Sequence, residues 1–87
     1  MWYVYILKAS DGTLYTGITT NIERRINEHN TNNRIGSKSL RAKRPVTLSY
    51  FEELENRSHA TKREIEIKKM DRKDKLILIL NFSMLQK

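Results

Sequence analysis

Apolar and polar positions along this chain fall into six blocks, each with its own period. Residues 2–8 (Trp-Tyr-Val-Tyr-Ile-Leu-Lys) are aromatic or aliphatic with no breaker, and residues 13–19 read the same way. Both predict strands, and Ser10-Asp11-Gly12 between them is a turn signal. From Ile22 to about Asn30 the period becomes 3.6: Ile22, Ile26 and His29 share a stripe, Arg25 lies on its flank, and Arg24 points roughly away. Thr20-Asn21-Ile22-Glu23 fits a capping box with Thr20 as the cap. Val46, Leu48 and Tyr50 alternate through residues 46–51 and predict a third strand. A second helix, capped by Asn56 or Ser58, extends to about Met70, with Ala60, Glu64 and Ile67 on one face and Glu66 projecting away from it. Asp71 caps a shorter third element whose apolar part is residues 75–80. Its Leu-Ile-Leu-Ile-Leu run fits a strand by pattern alone, but the Asp71-Arg72-Lys73-Asp74 start favours a helix. The order β-β-α-β-α-α predicts an α+β domain, a three-stranded antiparallel sheet flanked by about three helices. The domain should span residues 1–80, with 81–87 a weakly ordered tail.

The first hairpin admits two registers. A two-residue Asp11-Gly12 turn pairs Tyr5 with Ile18 and sends Tyr5 and Tyr15 to opposite faces. A three-residue Ser10-Asp11-Gly12 loop, with Gly12 left-handed, pairs Tyr5 with Gly17 and Leu7 with Tyr15. Both tyrosines then share a face, with open space above Gly17. The registers differ by one residue, and such a slip flips every side chain.

Composition narrows the function classes. The chain has 87 residues and no cysteine, so its core is thin and neither disulfides nor thiolate metal sites support it. No basic stretch leads into a long apolar run at the amino terminus, and Leu76–Leu80 is too short to cross a bilayer. A soluble cytoplasmic protein with no membrane partner is expected. The net charge is +7, from 17 Lys and Arg against 10 Asp and Glu, which suits a polyanionic partner as well as a solvated basic surface. Residues 34–44 hold five basic side chains (Arg34, Lys38, Arg41, Lys43, Arg44) and no acid. They belong to a polar loop over residues 31–45, and a loop that long in a small domain is often functional.

Five polar side chains are expected to face inward: Tyr5, Tyr15, Arg25, His29 and Glu64. A carboxylate can hold a divalent cation, an arginine can grip a phosphate, and a phenol near cations can have its pKa lowered enough to help deprotonate water. The set suits metal-assisted phosphodiester cleavage. Each residue also has a plain structural reading. The tyrosines are ordinary strand residues, His29 an ordinary helix histidine, and Glu64 a salt-bridge partner for Arg25 that needs no metal.

The order and spacing of these residues resemble the GIY-YIG nuclease family. Tyr3-Val4-Tyr5 stands at the first motif and Tyr15-Thr16-Gly17 at the second, with Tyr3 replacing a glycine and Thr16 an apolar residue. The family's helix arginine falls ten residues after the second-motif tyrosine, at Arg25. Ala60-Thr61-Lys62-Arg63-Glu64 supplies the metal-binding glutamate four positions after an alanine. His29 matches a histidine of some members, including homing endonucleases, and Lys43-Arg44-Pro45 looks like the small stand-alone bacterial members. An asparagine that some relatives carry beyond the glutamate helix has no match. The resemblance covers about residues 2–70. It implies cleavage of DNA with Mg²⁺ or Mn²⁺ held mainly by Glu64 and water, and no small-molecule cofactor. Tyr5 would be the general base, Tyr15 would orient water, Arg25 would hold the phosphate, and His29 would assist proton transfer or contact phosphate. Lys38, Arg41, Lys43 and Arg44 are candidate phosphate clamps on DNA. Two rival readings stand beside it: a non-catalytic nucleic-acid-binding module on the same scaffold, and a protein-interaction domain whose basic face meets an acidic protein partner.

Overall fold

A computed structural model describes residues 1–32 and 42–85. Its elements are β1 (Trp2–Lys8), β2 (Leu14–Thr19), α1 (Ile22–Thr31), β3 (Thr47–Leu54), α2 (Arg57–Lys69) and α3 (Arg72–Leu85). The strands form one antiparallel sheet in the order β2-β1-β3, so the first strand is central and buried by both neighbours. This is the expected α+β fold in the expected order.

The turn decides the hairpin in favour of the three-residue loop. Gly12 has φ +87°, a left-handed conformation that glycine adopts without steric cost. The Ala9 N–H donates to the Thr13 carbonyl at 2.8 Å, and the Asp11 carboxylate accepts from the Thr13 N–H at 2.9 Å, as an Asx turn requires. Tyr5 therefore pairs with Gly17 and Leu7 with Tyr15. The peptide bond between Arg44 and Pro45 is cis.

Alternation along β1 divides the core between two sheet faces. Tyr5, Leu7, Ala9 and Val46 are buried on one side, packed by Tyr15, Ile26, Leu48 and Phe51. Val4, Ile6, Tyr50 and Ile67 are buried on the other, packed by Leu78, Ile79 and Phe82 among others. Each fully buried aliphatic side chain contributes about 1.5–3 kcal/mol, and these few residues are most of what the domain has. α1 covers the first face. α2 and α3 cover the second, and Phe82 closes the β3 edge with rings 5.5 Å from Tyr50 and 5.2 Å from Phe51.

Three boundaries differ from the pattern. The cap of α1 is Asn21, whose side chain accepts from the Arg24 N–H at 2.9 Å, and not Thr20. Strand β2 runs to Thr19, whose hydroxyl accepts from the Asn21 N–H at 3.1 Å, and this places the better capping residue at the helix start. Strand β3 begins one residue later than expected and continues to Leu54. α3 is a helix of 14 residues that passes Leu80 and reaches Leu85. It carries apolar residues on both sides: Leu78, Ile79 and Phe82 pack inward while Leu76, Ile77, Leu80 and Met84 face outward. That is why its pattern also read as a strand.

Candidate active site

The hairpin register puts Tyr5 and Tyr15 on one face, and α1 brings two polar residues down onto them. Tyr5 is almost wholly buried, and its phenol fills the space above Gly17 that the sequence left open. A Cβ at position 17 would stand 2.5 Å from the Tyr5 hydroxyl and 2.8 Å from its ring, so only glycine fits there. His29, at 0% exposure, reaches over from α1 with Nε2 3.4 Å from the Tyr5 hydroxyl. That is a long hydrogen bond, of the kind that tightens when substrate binds. The His29 ring also meets Tyr15 edge to face, with centroids 5.3 Å apart.

Arg25, one turn earlier and half-buried, comes within hydrogen-bonding reach of the Tyr5 phenol. Its guanidinium is held from behind by Glu28, Nη1 to Oε1 at 3.0 Å. Glu28 is a residue the sequence reading missed. A carboxylate one turn on from an arginine is common on helix surfaces, so nothing in the pattern singles it out.

Electrostatics refine the roles. Burial pushes the Tyr5 phenol up to about 12, and the nearby Tyr15 and Glu64 add to the rise. The hydrogen bond and charge of Arg25 pull the other way and lose. The expectation of a lowered phenol pKa is thus corrected: a buried phenolate costs more than one guanidinium returns. His29 moves in the opposite sense. Burial, then the positive charges of Arg25 and Arg44, hold its pKa below the usual 6.5, against the pull of Glu28. His29 is therefore neutral at pH 7 and able to accept a proton.

Stability follows from this shift. An imidazole with a depressed folded-state pKa contributes fully above its unfolded value and loses that contribution as the pH falls through it. Unfolding free energy measured by denaturant titration should decline from pH 7 toward pH 5, and His29→Phe should remove part of that slope. An unchanged slope in the variant would assign the decline to other groups.

Glu64 stands on α2, the helix whose Ala60 and Ile67 are buried. Ile67, one turn on, packs against Val4 and Ile6, so α2 lies on the side of the sheet away from Tyr5. The Arg63 side chain anchors α2 to β3 through Glu52, at 2.9 and 3.2 Å, and Glu52 in turn accepts from the Tyr50 hydroxyl. Glu64 is turned roughly 100° from Arg63 around the helix. Its side chain is 20% exposed, and its charge reaches Tyr5. It pairs with Lys68 at 3.3 Å, and Arg25 pairs with Glu28, a bridge within each helix.

Among the described residues no group of three or more His, Asp or Glu side chains gathers as a ready-made metal site. One partly exposed carboxylate still fits a magnesium ion, which keeps most of its waters and takes further oxygens from a substrate phosphate. Of the four candidate clamps, Lys38 and Arg41 lie outside the described residues. Lys43 and Arg44 have structural duties that charge counting could not reveal. The Lys43 ammonium lies 3.5 Å from Asp11 and 3.3 Å from the Thr13 hydroxyl, bracing the hairpin tip. Arg44 donates to the His29 carbonyl at 2.6 Å near the end of α1, where a cation also suits the helix dipole. Asn30, which the sequence reading also passed over, clamps the Val46 backbone with bonds of 2.8 and 3.1 Å.

Comparisons with known proteins show the family to which this chain belongs. The model of the GIY-YIG catalytic domain matches residues 1–76, and the chain belongs to that family. It is 52% identical to a UPF0213 protein of Syntrophus aciditrophicus over 88% of this chain and 87% of that one. A UPF0213 protein of Desulfotalea psychrophila is 51% identical over 90% of this chain and 70% of its own length. Among solved structures, a UPF0213 protein of Bacillus halodurans superposes with a TM-score of 0.57 at 36% identity, covering 91% of this chain and 83% of that one. A protein of E. faecalis does so with 0.63 at 40% identity, covering 94% and 85%. Among the described residues no helix is long and apolar enough to cross a membrane.

Proposed function

We propose that this protein is a metal-dependent endonuclease that hydrolyses phosphodiester bonds in DNA. The observation that carries the reading is the convergence of Tyr5, His29 and Arg25 over Gly17, a buried phenol with an acceptor on one side and a cation on the other. Membership of the GIY-YIG family and the excess of basic residues support a DNA substrate.

With a pKa of about 12, Tyr5 does not act as a standing phenolate at neutral pH. It works as a relay. Its hydroxyl proton passes to neutral His29 Nε2 while its oxygen takes a proton from the attacking water, so the net proton resides on His29. Arg25 grips the phosphate and the charge that builds on it, with Glu28 fixing the guanidinium. Tyr15 holds the imidazole in place and orients water at the more open side of the site. Glu64 would hold Mg²⁺ or Mn²⁺, which when bound supplies positive charge at the phosphate and the leaving oxygen. β2 is an outer strand, and a DNA backbone crossing its edge would meet both Glu64 and the tyrosine face.

A second reading, a DNA-binding module without catalysis, is favoured by the raised Tyr5 pKa and by the lone carboxylate. One panel separates the two. Purified protein is incubated with supercoiled, branched and single-stranded DNA, and with RNA, in Mg²⁺, Mn²⁺ or EDTA. The nuclease reading expects metal-dependent cutting of at least one DNA and none in EDTA. Salt-sensitive binding without cutting of any substrate would leave only the binding module.

A further inference from the structure

A second concave site lies beside the tyrosines. It is a cavity of about 590 Å³ between the start of α1 and the sheet, within the range of small-molecule sites. Its lining includes Tyr3, Ile22, Ile26, Leu48 and Phe51, with Glu23 also lining it. All five of the apolar and aromatic side chains are only partly buried, so α1 leaves this end of the sheet face uncovered. Tyr3 and Phe51 meet edge to face, with centroids 6.1 Å apart, and together form an aromatic corner. The cavity adjoins the catalytic cluster. Tyr3 shares a face with Tyr5 two residues along β1, about 6.6 Å away, and Phe51 is the cross-strand partner of Tyr5.

We infer that this cavity receives one unpaired base of the DNA, next to the phosphate that Arg25 holds, and that Glu23 favours guanine there. The inference rests on the nuclease reading and adds a base subsite to it. An aromatic corner on an apolar floor suits the flat face of a base, which stacks on tyrosine and phenylalanine whatever its sequence. The charge at the cavity decides what else fits. A phosphate would be repelled by Glu23, although the first-turn N–H groups of a helix otherwise attract anions. A base edge with hydrogen-bond donors is not repelled. Guanine carries two adjacent donors, N1–H and N2–H, which match the two oxygens of one carboxylate. The outward N–H groups of Ile22 and Glu23 in the first turn of α1 are donors for the acceptor edge of the same base.

The cavity also gives this domain a way to prefer some DNA structures. A paired base is held in its stack, whereas a base in a single strand, bulge or branch point reaches the cavity without the cost of unpairing.

The test is residue-resolved NMR in EDTA, where no cutting occurs. The protein is titrated with a 12-nucleotide oligothymidylate and with the same oligomer carrying one central guanine. The guanine oligomer should bind roughly tenfold more tightly and add shifts at Tyr3, Glu23 and Phe51. Glu23→Gln should bring the ratio of the two affinities close to one, and Tyr3→Leu should weaken both oligomers. Arg25→Ala should weaken both without changing their ratio. Equal affinities, with shifts at Arg25 but none at Tyr3, Glu23 or Phe51, would overturn the base site and leave the nuclease reading standing. If neither oligomer moves any resonance, the nucleic-acid reading fails and the base site fails with it.

Discussion

Arg25→Ala should lower DNA cleavage by roughly 100-fold or more while the protein stays folded. Both halves of that expectation come from the geometry around one side chain. The guanidinium stands over the Tyr5 phenol, where a phosphate would meet the attacking water, so its loss removes charge stabilisation at the reacting group. The structural cost is small. The Arg25–Glu28 bridge joins two partly exposed side chains on one helix, and such pairs contribute less than about 1 kcal/mol. Glu28 would also not be orphaned, because Arg24 lies 3.8 Å away. Arg25→Lys should fall between, keeping the charge but losing the planar fork. Thermal melting and initial cleavage rates on the same preparations check this. A variant that cuts normally would remove Arg25 from the mechanism.

Gly17→Ala should do what Arg25→Ala does not and damage fold and site together. Its new methyl would press on the hydroxyl and ring of Tyr5, which is 2% exposed and packed under His29. A free side chain would swing aside. This one is buried and held under His29, so the expected cost is about 1–3 kcal/mol, with cleavage reduced at least about tenfold as the relay is displaced. The double variant Gly17→Ala, Tyr5→Phe removes the closest atom of the clash. It should regain part of the stability and none of the activity, a coupling expected of residues in contact. Gly12→Ala is the useful contrast. A Cβ there meets only Arg72, at 3.9 Å, and its cost of about 1 kcal/mol comes from the left-handed backbone alone. Equal losses at the two glycines would mean that the Tyr5–Gly17 contact is not what fixes position 17.

These residues also show what a sequence can carry. Ser10-Asp11-Gly12 narrowed the hairpin to two registers, and the left-handed Gly12 of the structure selected the one that puts Tyr5 and Tyr15 on one face. The 3.6-residue period of α1 turns Arg25 and His29 toward that face. Both signals are local, and local physics decides them. The misses were not local. Thr20 and Asn21 are both good caps, and the choice between them came from where β2 ended. The pattern gave α2 an inward stripe but not the sheet face it would cover. Lys43 and Arg44 look like any basic loop residues until the hairpin tip and the end of α1 are brought against them. The pKa of Tyr5 was the least legible feature. A phenol beside an arginine reads as activated on paper, and only its burial reverses the sign.

We propose that Tyr5, Arg25, His29 and Glu64 form one metal-dependent site, although Ile67 of the helix that carries Glu64 packs on the second sheet face. Paramagnetic broadening by Mn²⁺, followed residue by residue at low metal, tests it most directly. Broadening should centre on Glu64, extend to Lys68, Tyr5 and Arg25, and disappear in Glu64→Gln. Broadening that ignores Glu64, or that persists unchanged in Glu64→Gln, would contradict it.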